Sequence, residues 1–137
     1  MTQIICCENH DGFAISCKGH AGYSVKGTDI VCAGISSLCC ALLTTVSERY
    51  SSGYFSGYSS EISDGSFFIR VSGCKSQEKL MCMKILFDMF YNGVFEIAEK
   101  YRDYVSLSWC SEASLGKLTD KVSENRLMQK GLQKGGK

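Results

Sequence analysis

A chain of 137 residues fits one compact domain rather than two, and with 45% hydrophobic and 21% charged residues it is not intrinsically disordered. Fifteen Lys and Arg against 14 Asp and Glu leave a formal charge of +1. There is thus neither the basic footprint of a nucleic-acid binder nor an acidic solvating block, and no direct nucleic-acid partner is expected.

Residues Gln3 to Cys7 and Phe13 to Lys18 are short β-prone runs, joined by Asn9-His10-Asp11-Gly12. Asp-Gly between such runs predicts a hairpin, because Gly tolerates the positive φ of tight turns. The next segment, Gly19 to Asp29, is glycine-rich and aperiodic, and is expected to be a mobile loop with Gly22 and Gly27 as its flexible points. Ile30 to about Tyr50 follows as a helix, with Ile35, Leu38, Leu42 and Val46 at spacings of three and four and Asp29 as N-cap. Val31, Ala33, Ala41 and Leu43 lie off that stripe, so the helix needs apolar cover on a second side, for which a partner subunit is one solution. Ser51 to Gly57 reads as a connection. Tyr58 to Ile62 and Phe67 to Val71 form a second hairpin around Asp64-Gly65. Gln77 to about Arg102 is the clearest helix, with Gly93 marking close packing. Tyr104 to Trp109 closes the order as a strand with alternating Val105, Leu107 and Trp109.

The order β-β-α-β-β-α-β predicts an α+β fold: a single layer of mainly antiparallel sheet with two helices packed against it. Residues 1–111 form the domain. Residues 112–137, with six basic and three acidic side chains, are expected to be a basic, disordered C-terminal tail.

Nine cysteines cannot all pair within one chain, which weakens a disulfide framework. There is no C-x-x-C spacing, and the adjacent pairs Cys6-Cys7 and Cys39-Cys40 chelate zinc poorly, so no metal and no cofactor is expected. The N-terminus lacks a basic n-region, and the apolar stretch from Ile30 to Leu43 is broken by Ser36 and Ser37, short of the roughly 20 residues of a membrane span. These features predict a cytoplasmic protein without a membrane partner, its thiols mostly free and buried.

Of the two histidines, His10 reads as a solvated turn residue. His20 ends a strand and opens the glycine-rich loop, and Cys32 sits in the first turn of the helix that the loop leads into. A helix N-terminus and a nearby imidazolium both favour thiolate, the nucleophilic form of cysteine. The amides of Cys32, Ala33 and Gly34 are candidates to face a developing oxyanion, with Gly34 leaving space. Asp29, an anion at the same helix end, either caps the helix or orients His20. Against all this stands a Cys32 that is simply packed; Cys39, Cys40, Cys74 and Cys82 read as core.

The run Gly19-His20-Ala21, then Gly27, then Asp29-Ile30-Val31-Cys32-Ala33-Gly34-Ile35-Ser36 resembles the signature of the ribosomal-processing cysteine protease family, Prp. The resemblance implies a cysteine endopeptidase that removes the N-terminal extension of a large-subunit ribosomal protein, the twenty-seventh of the L series, before ribosome assembly. It places the catalytic cysteine on Cys32 and the catalytic histidine on His20, with Asp29 and Ser36 in supporting roles. It implies a homodimer and a ribosomal protein precursor as substrate. It also implies aromatic substrate residues before the cut, for which Tyr23, Tyr54, Phe55 and Tyr58 are candidate contacts. The extra cysteines and the basic tail are departures from the pattern. Two rival readings are a thiol-dependent acyl-transfer enzyme using the same pair, and a non-catalytic ribosome-associated binding module with Cys32 packed.

Overall fold

A computed structural model describes residues 1–111; the expected tail, 112–137, lies outside the described residues. The chain runs β1 (Thr2–Glu8), β2 (Phe13–Lys18), α1 (Ile30–Ser51), β3 (Phe55–Ser63), β4 (Ser66–Cys74), α2 (Gln77–Lys100) and β5 (Val105–Trp109). The five strands make one sheet in the order β3-β4-β2-β1-β5. All neighbours are antiparallel except β1 and β5, which run parallel from Thr2 opposite Val105 to Cys6 opposite Trp109. The expected α+β order is therefore the observed one. β3 begins earlier than its composition suggests: Phe55, assigned to a connection, pairs with Cys74 and is buried. Ser and Gly around it hide the strand, which is specified by its backbone ladder to β4 rather than by side-chain alternation.

Alternation assigns the two sheet faces. Ile4 and Cys6 of β1, Phe13, Ile15 and Cys17 of β2, and Phe67, Ile69 and Val71 of β4 join the core with both helices. Cys7 and Ala14 form a small cluster with Ile5 and Cys110 on the opposite face. Adjacent Cys6 and Cys7 thus point to opposite sides. Cys7 is disulfide-bonded to Cys110, with Cα atoms 5.2 Å apart, while the other seven cysteines are free.

The helices lie antiparallel, Gly34 of α1 against Ile97 of α2 and Leu38 against Gly93. A Cβ on Gly93 would stand 2.9 Å from Leu38 Cδ1, so this glycine does mark close packing. α1 buries Val31, Ile35, Cys39, Leu42 and Val46. By length and composition α1 is apolar enough to cross a membrane, contrary to the expectation from its two serines, which are too mildly polar to break the run. Only 28% of its most apolar window is buried, but the exposed side consists mainly of small residues such as Ala33, Ser36, Ser37 and Ala41. Of the residues expected to need a second cover, Val31 is buried and Leu43 packs against the core within the chain itself.

The first hairpin turn is tied into the sheet. Asn9 Oδ1 accepts from the Asp11 amide at 3.1 Å, and Asp11 Oδ2 accepts from the Gly73 amide at 3.0 Å. His10 is exposed, as expected of a turn residue. A Cβ on Gly12 would lie 1.9 Å from the carbonyl oxygen of Val71. Gly12→Ala is expected to destabilise by roughly 1–3 kcal/mol, since backbone must move to make room; urea denaturation measures it. Reducing the Cys7–Cys110 bond, which closes a sequence separation of 103, is expected to lower stability by roughly 2–5 kcal/mol, read from denaturation with and without reductant.

Candidate active site

The turn after β2 is squeezed into place before it delivers His20. Gly19 takes φ of 92°, and a Cβ there would stand 2.6 Å from the carbonyl oxygen of Met1. Its N–H donates to the Gly65 carbonyl at 2.8 Å, and its own carbonyl accepts from the Thr2 hydroxyl at 3.4 Å. Residue 19 is thus clamped between the start of β1 and the β3–β4 turn, which is why only glycine fits there.

Cys32 sits in the first turn of α1, half-buried. The Ala21 amide, one residue past His20, donates to Cys32 Sγ at 3.3 Å. His20, Cys32 and Ser36 line one cavity of about 270 Å³, whose walls include Ile35, Ile62 and Phe67. The sequence expectation that His20 and Cys32 become neighbours at a strand end and a helix start is met to this extent: both open on the same space.

Asp29 settles as a cap. Its Oδ1 accepts from the amides of Val31 and Cys32, each at 3.0 Å, and its Oδ2 from those of Tyr23 and Ser24 at 3.0 and 3.2 Å. The carboxyl is held below its usual range, first by the Cys32 amide, then by those of Ser24, Tyr23 and Val31, against the opposing effect of burial. With both oxygens committed to backbone, orientation of His20 is not its role. This also removes the expected oxyanion donors. The Cys32 amide serves the Asp29 carboxylate and the Ala33 amide serves the Asp29 carbonyl at 3.0 Å. Gly34 faces α2, where a Cβ would meet Ile97 Cδ1 at 3.2 Å, so its missing side chain makes room for a helix contact and not for substrate.

The loop is more bonded than its composition suggests. Beyond the Asp29 contacts, the Thr28 amide and hydroxyl both donate to the Val25 carbonyl at 3.0 Å, and Lys26 Nζ reaches Asp64 Oδ2 at 3.0 Å. Gly22 and Gly27 supply positive φ of 72° and 93°. The aromatic residues proposed as pocket walls lie elsewhere. Phe55 is core, Tyr54 lies under Arg49 and Lys79, Tyr58 packs on Tyr50, and Tyr23 meets Tyr101 and Tyr104 edge-on. Alternation in β3 and β4 turns Ile62 and Phe67, rather than these rings, to the cavity.

Two residues that the sequence marks only as a hairpin turn reach the site. Asp64 Oδ1 stands 3.8 Å from His20 Nε2, and Gly65 lies under the ring, where a Cβ would be 2.9 Å from Nε2. They are 44 and 45 positions from His20 and read locally as an ordinary turn, so only the strand pairing brings them there. Lys26, with its charge on Asp64, is the first cause of a lowered Asp64 carboxyl, and His20 adds to it.

Other thiols line the same cavity. Cys17 and Cys39 are buried with their sulfurs 3.8 Å apart. The Cys39 contact and burial push the Cys17 thiol up, and burial with the neighbouring Cys39 pushes Cys6 to about 12. Both stay protonated near neutral pH and are inert as nucleophiles. Among the described residues no group of three His, Cys, Asp or Glu could hold a metal ion.

Because the Asp29 carboxyl titrates lower in the folded chain than the ordinary value near 3.9, its contribution is full above roughly pH 4 and lost as pH falls through the folded value. Asp29→Asn keeps one capping oxygen and turns an NH2 toward the Tyr23 and Ser24 amides. Hydrogen exchange at those two amides is expected to speed up about tenfold in the variant, with α1 still formed.

The family model for the cysteine protease Prp matches residues 1–106, whereas no curated protein matches the chain. Among solved structures, the essential ribosomal processing protease Prp of Staphylococcus aureus with a covalently linked product peptide is 22% identical, with a TM-score of 0.63, covering 80% of this chain and 100% of that one. The same protease with a substrate peptide is 20% identical, with a TM-score of 0.59 and the same coverage. A protein of Streptococcus mutans is 22% identical, with a TM-score of 0.58, covering 82% of this chain and 96% of that one. The structural matches show the shared fold, and the match over residues 1–106 shows that this chain belongs to the family of the cysteine protease Prp.

Proposed function

We propose that the protein is a cytoplasmic endopeptidase that removes the N-terminal extension of a large-subunit ribosomal protein, the twenty-seventh of the L series, using a dyad of Cys32 and His20. The observation that carries this is one shared cavity: the thiol and the imidazole both open on it, and the amide beside His20 already bonds the sulfur. The family match supports the protease chemistry, and the ribosomal processing named for the Staphylococcus aureus relative supports the substrate.

In this reading His20 takes the proton of Cys32 and Sγ attacks the scissile carbonyl carbon. The oxyanion moves to the Ala21 amide, which is aimed at the sulfur at rest. The imidazolium gives its proton to the leaving amine, and the C–N bond breaks to leave a thioester on Cys32. Water, deprotonated by His20, releases the acid and restores the thiol. Ser36, one helical turn past Cys32, offers its hydroxyl to the peptide backbone. Ile35, Ile62 and Phe67 give the cavity apolar walls suited to a large apolar side chain before the cut. The segment between Ala21 and Thr28 opens to admit the peptide and closes over it. A second copy packs against the exposed, small-residue side of α1, making a homodimer.

One incubation tests the reading. The extended ribosomal protein from the same genome is mixed with wild type, Cys32→Ala and His20→Ala, each checked for folding. Cleavage by wild type, with a loss of at least about a thousandfold in both variants, is expected. Equal cleavage by all three overturns the dyad. A Cys32 thioester from a small acyl donor without cleavage of the precursor favours acyl transfer instead.

A further inference from the structure

The imidazole of a thiol protease needs an orienting partner, and the aspartate that the sequence motif offers is not available: Asp29 spends both oxygens on four amides. The carboxylate that does face His20 belongs to the β3–β4 turn. We propose that Asp64 is the positioning residue of the dyad, holding His20 through Nε2 so that Nδ1 is left for the Cys32 proton, and that Lys26 ties this same carboxylate to the loop that covers the cavity. This deepens the dyad reading and rests on it.

Three features carry the proposal. Asp64 divides its oxygens, Oδ1 at 3.8 Å from His20 Nε2 and Oδ2 at 3.0 Å from Lys26 Nζ. All three residues line the cavity that holds Cys32. The turn is fixed with respect to His20 from both sides. The Gly65 carbonyl accepts the Gly19 amide at 2.8 Å, and Gly65, with φ of 70°, lets the turn backbone lie against the ring where any Cβ would come within 2.9 Å of Nε2.

A carboxylate at Nε2 selects the tautomer protonated there, which frees the Nδ1 lone pair, and it stabilises the imidazolium once the proton has moved. At 3.8 Å the contact is an ion-pair distance rather than a hydrogen bond, as is common for catalytic contacts before substrate arrives. Both side chains are more than half exposed, so the pair contributes little to fold stability. Loss of Asp64 therefore acts on chemistry rather than on folding.

The test uses the full-length chain with Asp64→Asn and Asp64→Glu, two readouts and a stability control. With the ribosomal precursor as substrate, Asp64→Asn is expected to lower kcat roughly tenfold while KM changes less than about twofold, and Asp64→Glu to recover part of the loss. With iodoacetamide at neutral pH, mapped to Cys32 by mass spectrometry, Asp64→Asn is expected to slow modification by a similar factor. The thermal midpoint stays at the wild-type value. Unchanged kcat and unchanged alkylation in Asp64→Asn overturn the proposal, as does a rise in KM alone. The alkylation arm needs no peptide. If wild type fails to cleave the precursor, the substrate reading falls, while the Cys32 modification rates still decide the role of Asp64.

Discussion

Four backbone amides converge on the carboxylate of Asp29, and the site depends on that convergence. Two come from the first turn of α1, which has no earlier carbonyl to bond them. Two come from the loop, at Tyr23 and Ser24. One side chain therefore fixes where the helix starts and where the returning loop lies against it. Ala21 then has little freedom, and its amide reaches the Cys32 sulfur. Gly19 does the corresponding work at the other end of the segment, pressed between Met1 and Gly65. His20 lies between these two anchors, so its position is set by backbone bonds on both sides.

The same arrangement separates Cys32 from the other eight cysteines. Cys6 and Cys17 are sealed in the core, where burial and the neighbouring Cys39 keep them protonated. Cys74 is raised too, by burial and then by Asp11. Cys7 is taken up by Cys110. Cys32 combines partial exposure, a helix start and a cavity shared with a histidine. Most other thiols fill the core or its edge, but Cys40, expected in the core, is exposed on α1 and lines the same cavity as Cys32.

Much of this was legible in the residues. Periodicity placed α1 and α2 nearly to their ends, because long amphipathic patterns are little disturbed by context. The Asp-Gly pairs marked both hairpins, although only Gly65 takes the positive φ that signal rests on, Gly12 being needed for space beside Val71; the sharp run from Gly19 to Ser36 pointed to Cys32 and His20. What failed did so for long-range reasons. The oxyanion role given to Cys32, Ala33 and Gly34 ignored that an N-cap carboxylate uses the very amides an oxyanion needs, and that Gly34 answers to Ile97. The aromatic pocket failed because composition does not say which face of a strand looks at the site. Asp64 and the Cys7–Cys110 pairing were out of reach, since each depends on strand register across dozens of residues. The parallel pairing of β5 with β1 likewise has no local mark.

The proposed chemistry requires a sulfur and an imidazole that share one reaction space. Dibromoacetone alkylates a thiolate first and then any nucleophile within reach of its short ketone bridge. Peptide mapping of the treated protein is predicted to return one cross-linked product joining Cys32 to His20, absent from His20→Ala. A product carrying the reagent on Cys32 with no bridge to His20 would contradict the account.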